Sequence, residues 1–558
     1  MQNAIPPIVK KIFARKNITA DDQIIRFLDP KLENLPHPMK MKGMRQAVDC
    51  ILAGMEQGAE LVIWGDYDVD GTTGTSLLVN FFRKLGVEPH WHIPNRLTDG
   101  YGLHTDKFTE LAEQYALEKF ILITVDCGIS NSKEVAEILK LGGAVIVTDH
   151  HQLPLGDLPG CIILNPNQQG CEFHGEKLAG VGVAFYLAAA LRSELDRQGY
   201  FGDSEKPNLK DYLGFVALGT VSDLVEVTET NRILVRAGME ALSNSPIPGL
   251  RYLLESAGLY GSHLTSEDIG FALGPRINAA GRLGTADVAV ELMTCDNHTS
   301  GSDLAKRLDS FNERRKDICN KNLEIALTLI ERDRLAEQAA IVVSGDFHPG
   351  VIGIVASKIV DVYHKPTLVF STEEDSSSRA MKGSGRSIEG VDLLSCLHNC
   401  AHHIDKYGGH AMAAGLSVLS KHLKPFSEEM CRQVELEKLN ILQAAKIYPL
   451  TIECDLDEVM SAETLELLMK LEPFGPENEK PIFIDRRAQV ISCKAIGALG
   501  QHLQLTVRGK FSNYRGIGFG LGERFLEVKK EPERSISFTP MINRFRGAVE
   551  WQLRVIEI

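Results

Sequence analysis

From about residue 59 to residue 225 the chain alternates short apolar runs with longer helix-like ones, a pattern that few folds accommodate. Residues 61–64, 90–93, 120–125 and 144–148 have the length and branched apolar content of buried strands. Between them, helices are predicted over about 75–85, 106–116 and 133–141. The alternation predicts an α/β fold built on a parallel sheet with helices on both faces. Ligands of such sheets bind outside the carboxyl ends of the strands.

Acidic residues collect at those ends. The stretch LVIWGDYDVDGTTG (61–74) places Asp66, Asp68 and Asp70 on alternate positions after an apolar run. If the segment is extended, the three carboxylates crowd one side. Like charges that close call for a divalent cation with oxygen ligands. An EF-hand loop is excluded because its twelfth position is Leu77, and a P-loop because no Gly-Lys-Ser/Thr ending follows Gly71. Asp126-Cys127-Gly128 follows the run 120–125, Asp149-His150-His151 follows 144–148, and Asp223 closes a helix-like run over 217–222. Four segments offering Asp or His at one sheet edge form the pattern of two divalent ions held by carboxylates and an imidazole. Such a donor set suits Mn²⁺ or Mg²⁺, with the imidazole favouring Mn²⁺.

At 558 residues the chain should divide into three or four domains. Residues 1–45 read as a helical preface. The run 178–191 is too short for a membrane span and reads as a buried core helix. Eleven cysteines without a repeating framework, and no secretory h-region, point to reduced thiols in a soluble cytoplasmic protein. Cys396, His398, Cys400, His402 and His403 are ligand types, but a helix face explains them equally well.

Residues 302–333 read as one helix of ~45 Å or as two shorter ones. Its apolar stripe of Leu304, Leu308, Phe311, Ile318, Ile325 and Leu329 is interrupted by Arg315 and Asn322. After about residue 446, short strands predict a small β-barrel, with Phe511, Tyr514 and Phe519 either exposed or filling its core. The net charge of −14 argues against a protein that merely coats nucleic acid. Its distribution is uneven. Residues 483–558 carry 13 Lys and Arg against 7 Asp and Glu, a net of +6 that leaves −20 on the rest. A basic barrel suits gripping a single strand.

In their order, DYDVDG, VDCG, DHH and Asp223 resemble the motifs of the DHH phosphoesterases. From about Phe27 onward the chain is similar to the single-strand-specific 5′-to-3′ DNA exonucleases of that superfamily. The similarity includes Gly274-Pro-Arg276-Ile-Asn278-Ala-Ala-Gly281-Arg282, His348-Pro-Gly350-Val-Ile-Gly353, Gly383-Ser-Gly385-Arg386-Ser387 and Gly408-Gly409-His410. The resemblance implies a DHH catalytic domain (46–300), a long connecting helix (301–335), a second, DHH-associated α/β domain (336–445) and a C-terminal OB-fold barrel (446–558). Its glycine-rich segments near 383 and 408 would let backbone N–H groups approach a phosphate, the alternative being that they are ordinary turns.

The resemblance also implies site roles. Asp68 and Asp126 would hold one ion, and Asp70, Asp126, His150 and Asp223 the other. Asp66 and Asp149 would orient ligands, and His151 would contact the scissile phosphate. Arg96, Ser384 and Arg386 would take the 5′-terminal phosphate, with Arg276, Asn278, Arg282 and His410 also on the substrate. The implied reaction is hydrolysis of single-stranded DNA to 5′-mononucleotides during recombination and repair. The implied enzyme is a monomer away from membranes, with a helicase and a single-strand-binding protein as partners. The rivals are a DHH enzyme acting on pyrophosphate, a cyclic dinucleotide or very short RNA, and a DNA-binding relative without metal. The first needs no basic barrel, and the second should lack the ligands present here.

Overall fold

Five parallel strands carry the acidic edge: β1 (Glu60–Gly65), β2 (His90–His92), β3 (Phe120–Val125), β4 (Ala144–Thr148) and β5 (Ile162–Leu164), in the order β2-β1-β3-β4-β5. The computed structural model that shows this describes residues 5–154, 156, 160–173, 177–374, 380–441, 450–497, 499–545 and 548–558. The expected boundary at 445/446 lies outside the described residues.

Successive strand residues face opposite ways, so the sheet feeds two cores. Leu61, Ile63, Ile121 and Ile123 pack with Leu77, Phe81 and Leu187 of the helices Val69–Lys84 and Gly180–Arg197. Val62, Trp64, Leu122 and Val145 pack with Phe108, Val135 and Ile138 of the helices Thr105–Gln114 and Ser132–Leu139. The chain leaves β1 towards β2 on one side and towards β3, β4 and β5 on the other, so the order reverses between β1 and β3. That is the switch point at which open sheets leave a crevice.

One expectation fails at this edge. The helix after β1 starts at Val69, not near residue 75, so the three aspartates do not lie on one extended segment. Asp68 caps the helix by accepting a hydrogen bond from Gly71 N (3.1 Å), and Asp70 lies in the first turn. Asp66 and Asp68 stay beside each other and Asp126, whereas Asp70 groups with His150 and Asp223.

Residues His298–Arg332 form a single helix of 35 residues, ~52 Å long at the standard rise. The alternative of two shorter helices is excluded. Beyond it, β6 (Ile341–Gly345), β7 (Thr367–Glu374), β8 (Ala380–Arg386), β9 (Lys406–Gly409) and β10 (Ala413–Leu419) form a mixed sheet in the order β6-β7-β8-β10-β9. The glycine-rich segments near 383 and 408 are therefore strands rather than turns. Gly383 is needed for packing: a Cβ there would sit 2.4 Å from the Phe370 ring. Cys396 and Cys400 are buried in this domain's core, and among the described residues they join no cluster able to hold a metal.

The last sheet contains β11 (Thr451–Glu453), β12 (Ile482–Ile496), β13 (His502–Arg508), β14 (Asn513–Gly518), β15 (Glu533–Phe545) and β16 (Ala548–Glu557). Its pairings β12–β13, β13–β14, β14–β16, β16–β15 and β15–β12 run in a ring. Phe511 and Phe519 are exposed, whereas Tyr514 packs against the core and donates to Asp457 Oδ1 (2.9 Å).

The N-terminal residues are not a free-standing preface. Ile8, Val9, Ile12 and Phe13 of the helix Pro7–Arg15, with Ile24 and Leu28 of Asp21–Leu28, belong to the same core as Phe483, Leu505 and Phe538. Arg232, on the helix Glu229–Ser243 of the first domain, ties this assembly to that domain. Buried at 3% exposure, it lies over the Phe27 ring, 3.9 Å from the centroid. It donates to the carbonyls of Phe27 (3.1 Å), Leu471 (2.7 Å) and Lys470 (2.7 Å). No helix among the described residues is long and apolar enough to cross a membrane.

Candidate metal centre

The carboxylates converge outside the switch point. Asp66 follows β1, Asp126 follows β3, His150 follows β4, and Asp223 caps the C-terminal end of the helix Leu213–Ser222. His150 Nε2 stands 3.0 Å from Asp126 Oδ1, 3.5 Å from Asp223 Oδ2 and 3.7 Å from Asp70 Oδ2. Two sets of potential ligand atoms lie within 4.8 Å of one another: Asp66 with Asp68 and Asp126, and Asp70 with His150 and Asp223. His151 falls in a third such set, with Asp126 and His150.

Burial and the neighbouring His151 charge push the His150 pKa down to about 4, so its ring is neutral near pH 7. The ring bonds the Leu178 backbone. Because Nε2 has no hydrogen-bond partner, that bond uses Nδ1 and aims the Nε2 lone pair at the carboxylates. Asp66 Oδ1 and Asp126 Oδ1 are likewise buried without a hydrogen-bond partner. A neutral ring nitrogen and buried carboxylate oxygens this close need a cation or a proton between them. Oxygen donors with one imidazole nitrogen fit Mn²⁺ or Mg²⁺.

Without that cation the anions repel. Burial, then Asp68, raises the Asp70 pKa to about 7, and burial, then Asp70 and Asp68, raises that of Asp223 to about 8. Asp126 and Asp66 are raised well above the carboxylate range, chiefly by burial and then by neighbouring carboxylates.

Asp149 behaves differently. Burial opposes its charge, but hydrogen bonds outweigh that and hold its pKa below the usual value. It accepts from His150 N (2.7 Å), His151 N (3.0 Å), Ile129 N (3.0 Å) and His151 Nδ1 (2.8 Å). Burial also works against the His151 charge, yet the bond to Asp149 raises its pKa to about 9. His151 is thus a half-exposed cation beside the carboxylates.

The expected substrate residues divide. Arg96 lies over the Tyr67 ring (4.9 Å), Arg282 donates to Gly350 O (3.2 Å), and Arg386 donates to Ser384 Oγ (3.1 Å) and Gly385 O (2.8 Å). These three arginines feel one another's charge, since after burial the pKa of Arg282 is lowered by Arg96 and Arg386 among its neighbours, to about 9. Gly353 leaves room for them: its Cβ would be 2.9 Å from Arg386 Nη2 and 3.0 Å from Ser384 Oγ. Arg276 is instead bound to Asp309 Oδ1 (2.7 Å) and Ala272 O (2.8 Å). Asn278 is half-buried on the same helix, and His410 is exposed at the end of β9.

With this geometry in hand, comparison with known proteins is informative. Three family models match: the DHH family N-terminal domain over residues 60–220, the DHHA1 domain over 337–436 and the RecJ OB domain over 451–557. The single-stranded-DNA-specific exonuclease RecJ of Escherichia coli is 35% identical, over 99% of this chain and 96% of its own length. The chain belongs to the RecJ family. Its Bacillus subtilis relative of the same name is 32% identical, over 99% of this chain and 68% of that protein. The crystal structure of Thermus thermophilus RecJ in complex with Mn²⁺ superposes with a TM-score of 0.80 at 28% identity, covering 99% of this chain and 76% of that one. A second, with Mg²⁺, gives 0.73 at 25% identity, covering 99% and 74%.

Several residues of this RecJ-family centre carry no sequence signal of their own. Asp70 is held by the N-terminus of a distant helix, accepting from Gly180 N (2.6 Å) and Val181 N (2.8 Å). Gly180 itself leaves room for Asp126, since its Cβ would lie 2.6 Å from Asp126 Cβ. Asn167 and Asn165 donate to the carbonyls of His150 (2.7 Å) and His151 (2.9 Å). Tyr101 OH donates to Asp126 O (3.0 Å) and lies 3.3 Å from His151 Nδ1. The Gly-Tyr-Gly stretch around Tyr101 was the one visible clue.

Proposed function

We propose that this chain is a metal-dependent exonuclease that hydrolyses single-stranded DNA from its 5′ end, releases 5′-mononucleotides and serves recombination and repair. The supporting observation is the neutral His150 lone pair among buried, unpartnered carboxylate oxygens, in a chain of the RecJ family along its whole length. Asp68 and Asp126 would hold one Mn²⁺ or Mg²⁺ ion and Asp70, Asp126, His150 and Asp223 the other. Asp66, expected only to orient ligands, is close enough to Asp68 and Asp126 to join the first set. Bound together, such ions activate water and neutralise charge that builds on the phosphate.

The chain's own residues do the rest. Asp149 fixes the His150-His151 backbone and bonds His151 Nδ1, so that the His151 ring would face a phosphate oxygen on which charge develops. Arg96, Arg386 and Ser384 present donors to a 5′-terminal phosphate, with Arg282 beside them. Single strands with 5′ or 3′ labels, incubated with Mn²⁺, test the reading: loss of 5′ label first supports it, and loss from the 3′ end contradicts it. The same reading extends to a monomeric cytoplasmic enzyme supplied with single strands by a helicase and working beside a single-strand-binding protein.

Replacing Arg386 by Ala is expected to reduce the preference for a 5′-phosphorylated over a 5′-hydroxyl strand by about tenfold, the worth of one charged hydrogen bond. Competition between the two strands measures it, and an unchanged ratio would place the terminal phosphate elsewhere.

Metal binding should also depend on pH. A carboxyl group whose pKa is raised in the folded state binds its proton more tightly folded than unfolded. The metal-free fold therefore loses stability as pH climbs from about 4, the unfolded value, through the folded values of about 7 and about 8 for Asp70 and Asp223. Mn²⁺ must displace those protons at pH 6 but far fewer at pH 8. Its stabilisation should grow by up to ~1.4 kcal/mol per pH unit for each proton displaced. Thermal unfolding with and without Mn²⁺ reads this directly; equal gains at pH 6 and pH 8 would contradict it.

A further inference from the structure

The first break in the apolar stripe of the long helix, Arg315, falls where the helix passes from one core to the next, and the second, Asn322, lies within the stretch that packs on the second core. Ala305 and Leu308 belong to the catalytic core, and Cys319, Ala326 and Ile330 to that of the second α/β domain. Asn312, Arg315, Cys319 and Asn322 follow one another at spacings of three and four, which places them on one helix face. Asn312 is 2% exposed and Asn322 is 6% exposed. Arg315 Nη2 donates to Asn312 Oδ1 (2.8 Å), but Arg315 Nε and Asn322 Nδ2 are buried donors with no acceptor.

Arg315 sits in a basic neighbourhood, with Glu313 the acidic group beside it. Arg315 is one of the charges that depress the Arg282 pKa, along with Arg96 and Arg386, while Asp68 pulls the other way. Among the described residues, the hydrogen bonds of Arg282, Arg315 and Arg386 all go to neutral oxygens. Guanidinium groups gathered without paired carboxylates, beside unsatisfied donors, are arranged for an anion with several oxygens.

We propose that Arg315 and Asn322, with Arg282, form a further anion site on the connecting helix that takes phosphate groups of the strand, so that this helix binds substrate as well as joining domains. The inference rests on the nucleic-acid reading above for the identity of the anion.

Binding of 3′-labelled oligothymidylates in EDTA, followed by anisotropy, tests it. Arg315→Gln should weaken binding about tenfold and flatten the slope of log K against log salt by about 0.7. A loss shared by 5′-phosphorylated and 5′-hydroxyl strands assigns the site to inner phosphodiesters, and a loss confined to the former assigns it to the terminal phosphate. A folded Arg315→Gln protein with unchanged affinity and slope overturns the proposal. Asn322→Leu removes a buried donor that the fold leaves unsatisfied, so it should weaken binding while leaving the thermal midpoint equal or higher. A lower midpoint with unchanged affinity would make Asn322 structural and overturn its place in the site. If the unaltered protein binds no single strand, the nucleic-acid reading fails separately. Inorganic phosphate is then the probe: a rise in midpoint that Arg315→Gln loses upholds the anion site, and equal rises in both proteins remove it.

Discussion

Asp126→Asn is expected to lower hydrolysis by more than about a thousandfold while strand binding in EDTA survives. Asp126 Oδ1 is the buried oxygen 3.0 Å from His150 Nε2, and the residue appears in both a carboxylate set and a histidine set of potential ligands. Asparagine is the cleaner replacement because Asp126 has a φ of +62°, a left-handed conformation that Asn adopts readily and Ala does not. Removing this charge also removes repulsion from Asp70, Asp68 and Asp223. The metal-free variant should therefore unfold at the same or a higher temperature than the parent, and Mn²⁺ should stabilise it less. Near-normal hydrolysis would sink the assignment of two ions sharing Asp126.

The largest effect on stability is expected at Arg232, far from the chemistry. Truncation to Ala strips hydrogen bonds from the carbonyls of Phe27, Lys470 and Leu471 and leaves a void against the Phe27 ring. The expected cost is about 3–5 kcal/mol, the scale of a buried charged group removed from its partners. Denaturant unfolding measures it, and an unchanged midpoint would show that the three segments are held together elsewhere. The same contact qualifies any deletion of the basic barrel. Removing residues 450–558 would expose Ile8, Val9, Ile12 and Phe13, so a loss of DNA affinity in such a protein would first have to be separated from a loss of fold.

The clustering of Asp and His at one sheet edge was legible because two local signals coincide there, apolar runs of strand length and Asp or His immediately after them. What the acidic stretch did not disclose was its conformation. Gly71 to Ser76 is a poor helix sequence by intrinsic propensity, yet the segment is helical because it is buried. Thr72, Thr73 and Ser76 return their hydroxyls to the carbonyls four residues back, and Gly74 faces Val125 and Val181, where a Cβ would come within 2.5 Å of Val125 Cγ1. Tertiary packing overrode propensity, and packing partners a hundred positions away are invisible to a local reading. The same holds for the Gly180 and Val181 amides on Asp70. The glycine-rich strand β8 misled for the opposite reason, since its glycines serve the close approach of Phe370 and Leu393 rather than a change of chain direction. In β12 the run from Asp485 to Ala488 hides a strand because its pairing with β15 slips there, breaking the alternation that would mark it.

The placement of the first helices also orders events during synthesis. Phe13 shares a core with Phe538, so its packing partners leave the ribosome roughly half a minute to two minutes after it does, at ~5–20 residues per second. The five-strand sheet is complete by Leu164 and every proposed metal ligand by Asp223, long before that core can close. A nascent or prematurely terminated chain would carry the means to cut DNA alongside an unpaired greasy helix face, a mark by which chaperones and proteases could tell it from the finished enzyme.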